Sequence, residues 1–320
     1  MSEKAILVTG VGGDIGQSIV KCLKDCRANR MIKIVGCDID RYAASREEVD
    51  SFLEAPSANR VDKYIEFINS IVKKEKIDYL IPTTEQEIIV LDKQRASFDG
   101  GCKLLINSPY IINTFFDKYA TAEFLRSNGL LCPRTYRIED YSGELDFPLI
   151  FKPRFGYGGK GLIIAHDKEE LDFLKKRRKD FVIQEMAGGI KEEYTACVFS
   201  DGQDIHSIGF KRSLGYGSLS KIAELSNDAA LLDLAKKIAC AIDLRGSVNI
   251  QAQKTAKGYM VFEINPRFSS TVYIRHYFGF RDVEWWLNLY ERREIRYTLQ
   301  YQSGVGVRKL GEIFFECQPL

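Results

Sequence analysis

Residues 150–162 read IFKPRFGYGGKGL. A β-branched and aromatic run ends at Lys152, glycines follow at 156, 158, 159 and 161, and a second apolar run, GLIIAH, begins at Gly161. The spacing predicts a strand, a glycine-rich loop and another strand. Such a loop lets backbone N–H groups approach phosphate oxygens closely, while the lysines supply point charges. It is not a Walker loop, because the order G-x-x-x-x-G-K-[ST] is absent and a strand follows where a helix would be required.

Two downstream stretches complete the pattern, QEMAGGIKEEYT at 184–195 and VFEINPRFSS at 261–270. GSVNIQAQ and GYMVFEIN read as a hairpin joined by KTAKG at 254–258. Alternation in a strand places Glu263 and Asn265 on one face, with Phe262 and Ile264 turned toward a core. A five-residue loop would pair Gln253 with Tyr259, set Asn249 opposite Glu263 and leave Gln251 diagonally beside it. That face then carries one carboxylate and several amide oxygens, hard ligands suited to Mg²⁺ bound with nucleotide phosphates.

Upstream, residues 1–107 alternate short apolar runs (AILVT, IKIVGC, YLIP, KLLI) with helical patterns, one carrying Ile15, Ile19 and Leu23 and others near 61–74 and 85–97. This predicts an α/β domain with a parallel sheet. Its first turn, TGVGGDIG at 9–16, and Asp38 after the next strand fit a dinucleotide fold. The short-chain dehydrogenases and epimerases that use this turn also need Y-x-x-x-K, and no tyrosine here has a lysine four residues later. The glycines are therefore read as packing a sharp turn in a dinucleotide-like domain without a dinucleotide. After residue 108, INSPYIINTFFDKYATAEFLRSNG reads as one long helix ending at Gly129, and a helix opened by Asp167 follows the second apolar run. Beyond it come a strand pair around the turn SDGQ and an Ala/Leu-rich helix over 228–243, while 297–320 gives no clear element.

Taken together, Lys118, Lys152 with its glycine loop, Gln184-Glu185-Met186, Glu193 and the series Gln251, Glu263, Asn265, Arg267 resemble the ATP-grasp superfamily, in particular its carbamoyl-phosphate-synthetase-large-subunit-like branch of carboxylate-amine ligases. The resemblance covers residues ~108–290, and the first 107 resemble the Rossmann-like domain that precedes ATP-grasp domains. It implies a pre-ATP-grasp domain over 1–107 and an ATP-grasp domain of two α+β lobes over 108–320, with a lid lobe at about 118–186 and a metal-bearing lobe at about 187–320. Lys118 and Lys152 would contact the α- and β-phosphates of ATP, assisted by Arg154. The loop Gly156, Tyr157, Gly158, Gly159, Lys160, Gly161 would close over the triphosphate. Gln184, Glu185 and the Met186 backbone would form the adenine hinge. Glu192 and Glu193 both stand near the ribose position, and alternation through Tyr194 and Thr195 favours Glu193. Gln251, Glu263 and Asn265 would ligate Mg²⁺ or Mn²⁺, and Arg267 would stabilise the transferring phosphoryl group. The implied reaction phosphorylates a small-molecule carboxylate to an acyl phosphate and couples it to an amine, releasing ADP and phosphate. One such module and no glutaminase-like segment point to a product other than carbamoyl phosphate, and a homodimer is an assembly the resemblance allows. The competing readings are an NAD-dependent epimerase or reductase and a non-catalytic ATP-binding protein.

Composition sets the remaining bounds. The 320 residues suit about two domains at ~150 residues each. Lys+Arg number 46 against 44 Asp+Glu, so the net charge of +2 gives no field for a nucleic-acid binder and any cationic site is local. The basic run KKRRK at 175–179 ends a helix with an acidic start, which suits the helix dipole and needs no nucleic acid. No apolar run approaches the ~20 residues of a membrane span, and the opening MSEKAILVTG lacks the apolar stretch and cleavage site of a signal peptide. Eight scattered cysteines without a C-x-x-C pair, and three histidines, read as reduced thiols of a cytoplasmic protein. Lys211, Arg212, Arg275 and His276 remain as candidates for a cationic substrate pocket, with His276 the weaker candidate as a general base.

Overall fold

The structure, a computed structural model, describes residues 3–98, 101–156, 161–186, 192–215, 219–309, 311 and 313–314. The chain forms two compact units: residues 1–106 with 267–302 and 306–320, and residues 107–266 with 303–305. The sequence reading kept all of 108–320 in one domain. By contacts, residues 267–302 and 306–320 group with the first unit, and only 303–305 of the chain beyond Pro266 stay with the second.

The first unit begins with β1 (Lys4–Thr9), α1 (Asp14–Cys26), β2 (Ile32–Asp38), β3 (Ser51–Glu54), α2 (Val61–Lys74), β4 (Tyr79–Ile81), α3 (Glu85–Lys93) and β5 (Lys103–Leu104). All neighbouring strands are parallel, in the order β3-β2-β1-β4-β5. β1 is buried from Ala5 to Thr9, with an apolar run over Ala5–Val8, because helices cover both faces of such a sheet. β3 is short, half-buried and at the edge, so its residues SFLE carry little hydrophobic signal. The glycine turn after β1 is set by close packing: a Cβ on Gly16 would stand 2.2 Å from the Gly10 carbonyl oxygen. Asp38 Oδ2 accepts from Gly12 N–H at 2.8 Å and its Oδ1 from Asp40 N–H at 3.0 Å. The acid that would hold a ribose hydroxyl in a dehydrogenase thus fastens its own turn.

The second unit contains α4 (Pro109–Phe116), α5 (Lys118–Ser127), β6 (Thr135–Arg137), β7 (Leu149–Pro153), β8 (Ile163–Ala165), α6 (Lys168–Arg177) and β9 (Phe181–Glu185). The expected single helix over 108–129 is two helices. Asp117 takes an extended conformation between them, and its carboxylate accepts from Tyr119 and Ala120 N–H as the N-cap of α5. β6-β9-β7-β8 form an antiparallel sheet. In a second sheet, β14-β13-β10-β11-β12 are antiparallel neighbours: β10 (Glu193–Ser200), β11 (Ile205–Leu214), β12 (Ser220–Ser226), β13 (Gly246–Thr255) and β14 (Gly258–Asn265), with α7 (Ala229–Ala241) between β12 and β13 in sequence. Tyr194, Ala196 and Val198 of β10 and Val248, Ile250 and Ala252 of β13 pack on Leu231, Ala235 and Ile238 of α7 and on Phe115 and Phe124. Alternation then sends Glu193, Thr195, Asn249, Gln251 and Gln253 to the opposite face.

The β13–β14 hairpin differs from the expected register. Thr255 pairs with Gly258, so the turn holds two residues, not five, and a bulge between Gln251 and Ala252 lets Ala252 face Val261 while Gln251 faces Glu263 and Asn249 faces Asn265. Phe262 is the extra residue of the bulge, half-buried rather than in the core, whereas Tyr259, Val261 and Ile264 join the core. The bulge is what places Glu263 directly opposite Gln251.

Beyond Pro266, α8 (Val272–Tyr277) and α9 (Asp282–Glu291) pack on α1 in the first unit. Arg275 is fully buried and joins the two helices through a bidentate pair, Nε to Asp282 Oδ1 at 3.0 Å and Nη2 to Oδ2 at 2.6 Å. Removing one member of such a pair leaves the other charge buried and uncompensated. Asp282→Ala is therefore expected to cost about 3–5 kcal/mol of stability in urea unfolding. A loss below about 1 kcal/mol would contradict this account of the pair.

Candidate functional site

Lys152 ends β7 at 8% exposure, and its Nζ donates to Gln184 Oε1 at 2.8 Å. Gln184, on the neighbouring β9, donates in turn to Thr135 Oγ1 at 2.8 Å. Burial pulls the Lys152 ammonium down to a pKa of about 8; the nearby Glu263 carboxylate opposes that shift and Lys118 adds to it. The lysine is thus a buried amine held by an amide, its charge supported by one carboxylate.

Asp117 organises the start of the glycine loop. Its carboxylate receives Arg154 Nε at 2.9 Å and Nη2 at 2.5 Å, while Lys118 N–H donates to the Arg154 carbonyl at 3.0 Å and Lys118 Nζ to the Gly156 carbonyl at 2.5 Å. Arg154 is therefore bound to Asp117, and the expectation that it assists the phosphates meets a guanidinium already engaged. Gly156 and Gly161 have φ of +121° and +78°, conformations that side-chain-bearing residues rarely adopt. Tyr157, Gly158, Gly159 and Lys160 lie outside the described residues, as do Gly188, Gly189 and Lys191.

At the expected adenine hinge, the Glu185 carboxylate is taken by Arg134, from N–H at 2.8 Å and from Nε at 2.7 Å. Glu185 N–H donates to the Arg134 carbonyl. The hinge can therefore offer a nucleobase the half-buried backbone at 185–186 but not this carboxylate.

The polar face of the second sheet carries Glu193, Thr195, Arg212, Asn249, Gln251, Glu263 and Asn265. Asn249 Oδ1 accepts from Thr195 Oγ1 at 2.7 Å and from Cys197 Sγ at 3.2 Å, which makes it a fixed floor rather than a free ligand. Gln251 Oε1 accepts from Arg212 Nη2 at 2.8 Å. Among the described residues, no group of three His, Cys, Asp or Glu side chains could hold a metal. A cation here would draw on one carboxylate and two amides, Glu263, Gln251 and Asn265, which the register sets on adjacent strands. An oxygen-only donor set of low charge fits a hard ion that shares its coordination with phosphates.

Other candidates separate. Lys211 turns away to pair with Glu192, whose carboxylate also accepts from Tyr194 Oη at 3.2 Å. Arg212 alone joins the polar face. Arg275 is consumed by Asp282, and His276 is buried, with neither ring nitrogen hydrogen-bonded, Nε2 standing 3.7 Å from Asp25 Oδ2, and its pKa lowered by burial. Neither offers a substrate pocket. Arg267 counts with the first unit, where its Nη2 stands 3.5 Å from Glu85 Oε1 and its Nη1 donates to the Phe268 carbonyl at 2.9 Å. Asp117, Arg134 and Thr135 were missed from sequence; only Asp117 gave a signal there, as a capping aspartate before KYATAEF.

Residues 115–271 match the family model described as ATP-grasp domain, and residues 6–105 the model described as PylC-like, N-terminal domain. Among curated relatives, the carbamoyl phosphate synthase large chain of Clostridium botulinum (strain Eklund 17B / Type B) is 32% identical over a segment covering 40% of this chain. That segment spans only 13% of the relative's own length. Among solved structures, N5-carboxyaminoimidazole ribonucleotide synthetase from Thermotoga maritima aligns with a TM-score of 0.70 at 20% identity, covering 97% of this chain and 81% of that one. N5-carboxyaminoimidazole synthetase from Staphylococcus aureus, complexed with ADP, aligns at 0.75 with 16% identity, covering 96% and 82%. At these identities the structural likeness establishes the fold. No helix among the described residues is long and apolar enough to cross a membrane.

Proposed function

From an ATP-grasp domain at residues 115–271 that follows a PylC-like N-terminal domain at residues 6–105, we propose that this chain is an ATP-dependent ligase that activates a small-molecule carboxylate as an acyl phosphate and couples it to an amine. The observation that carries the reading is the convergence of buried Lys152 with the oxygen-donor face of Gln251, Glu263 and Asn265 in one unit. Glu263 lies opposite the Gln251 amide, and its charge supports the Lys152 ammonium, an arrangement suited to a polyphosphate and its counter-ion.

Lys152 and Lys118 would bind the phosphates of ATP, with Gln184 orienting the first and the Gly156 carbonyl the second. The backbone at Glu185–Met186 would take the adenine, and Glu193 the ribose. Mg²⁺ or Mn²⁺ held by Gln251, Glu263 and Asn265 would neutralise charge on the phosphates. Arg267, whose role rests on its place in the motif Glu263-x-Asn265-x-Arg267, would stabilise the phosphoryl group as the substrate carboxylate attacks it. The loop of 156–161 would exclude water, which protects an acyl phosphate from hydrolysis. Since ADP leaves only after the γ-phosphoryl group has moved, the carboxylate alone should permit reversible cleavage of ATP.

Positional isotope exchange tests this step. With ATP labelled at the β,γ-bridging oxygen and the correct carboxylate, but no amine, label should scramble into the β-nonbridging positions. Turnover with both substrates present and no scrambling with the carboxylate alone would contradict an acyl phosphate formed before the amine is bound.

A further inference from the structure

The polar face contains one charged group that this scheme leaves without a task. Arg212 lies directly opposite Glu193 in the β10–β11 register, and its side chain is only 6% exposed. Its Nη2 donates to Gln251 Oε1 and stands 3.2 Å from Glu193 Oε2. That second contact is an ion pair without hydrogen-bond geometry. Arg212 Nε and Glu193 Oε2 are both buried, and both lack a hydrogen-bond partner. Two such orphans side by side are costly, and folded proteins keep few of them. Here one is a donor and the other an acceptor.

The chemistry that satisfies both is narrow. A phosphate oxygen could accept from Arg212 but would be repelled by Glu193. An ammonium could donate to Glu193 but would be repelled by Arg212. A hydroxyl does both, because its hydrogen goes to the carboxylate and its oxygen lone pair accepts from the guanidinium N–H. Building on the reading of Glu193 as the ribose-facing acid, we infer that Arg212 and Glu193 jointly read one ribose hydroxyl of the nucleotide. Arg212 is then a specificity-determining residue that discriminates ribonucleotide from deoxynucleotide. Its neighbour Lys211 cannot substitute, since it pairs with Glu192.

Calorimetric titration of the full chain with ATP, 2′-deoxyATP and 3′-deoxyATP in MgCl₂ tests the inference. Wild-type protein should bind one of the two deoxynucleotides about 10–100-fold more weakly than ATP, the range expected for losing a hydrogen bond to charged groups. In Arg212→Met that ratio should collapse to within about twofold, with ATP itself bound more weakly. Arg212→Lys keeps a charge beside Glu193 but removes Nε–H, so the ratio should collapse there too, which keeps the test decisive if the Met variant does not fold. Lys152→Met should weaken all three nucleotides alike and preserve the ratio. Equal wild-type affinities, or a ratio unchanged in the Arg212 variants, would overturn the inference while leaving the ATP site standing. Failure of wild-type protein to bind any of the three would overturn the nucleotide-site reading itself.

Discussion

Glu263→Gln is expected to lower ATP turnover by about 10²–10³-fold, the scale of removing one electrostatic group that acts on developing charge. The replacement keeps the shape of the side chain and removes its charge. Glu263 is the carboxylate opposite the Gln251 amide, and its charge counters the burial that lowers the Lys152 pKa. It lies outside the apolar cluster formed by Tyr259, Val261 and Ile264, so the core of the sheet should survive the change. The urea midpoint of the variant should stay near that of the wild type. Undiminished ADP release by a folded Glu263→Gln protein would remove Glu263 from the cation site.

Lys152→Met is expected to weaken ATP binding by about 10–100-fold, as the loss of a charge-assisted hydrogen bond would. The pH dependence gives a second readout. Burial lowers the Lys152 pKa from 10.5 to about 8, so its charged form is disfavoured in the folded protein. The cost of this group to stability is absent above pH 10.5, grows as pH falls from 10.5 to about 8, and stays level below that. ATP reverses the preference, since phosphate favours the ammonium. Wild-type affinity should therefore hold below pH 8 and fall by up to about tenfold per pH unit above it, with proton uptake on binding. Lys152→Met should bind with little pH dependence over the same range. A flat wild-type profile from pH 7 to 10 would mean that Lys152 does not meet the phosphates.

Much of the fold was readable because burial leaves periodic traces. α2 spans the predicted residues 61–74, and α7 lies within the expected 228–243 behind its Asp228 cap. The parallel sheet followed from apolar runs alternating with helices. Features that depend on a single residue's geometry left no such trace. Nothing in VFEIN marks Phe262 as a bulge, yet that extra residue, together with a turn shorter than expected, shifts Glu263 from facing Asn249 to facing Gln251. Asp117 broke a helix whose apolar pattern runs through it, because its carboxylate serves as a cap and as the anchor of Arg154. The pair Lys211–Arg212 looked uniform in sequence, whereas the pleat sends one side chain to Glu192 and the other into the polar face. The Arg275–Asp282 pair, within seven residues of chain, was invisible as a pair because charged residues seldom signal burial.

The central claim, an ATP-dependent ligation of a carboxylate to an amine, is tested most directly by ADP release across a matrix of carboxylates and amines in the presence of Mg²⁺. The account predicts at least one pair for which ADP forms only when ATP, the carboxylate and the amine are all present, with one coupled product per ADP. Thermal unfolding on the same protein should show stabilisation by ATP and none by NADH. Stabilisation by NADH without any by ATP would contradict it.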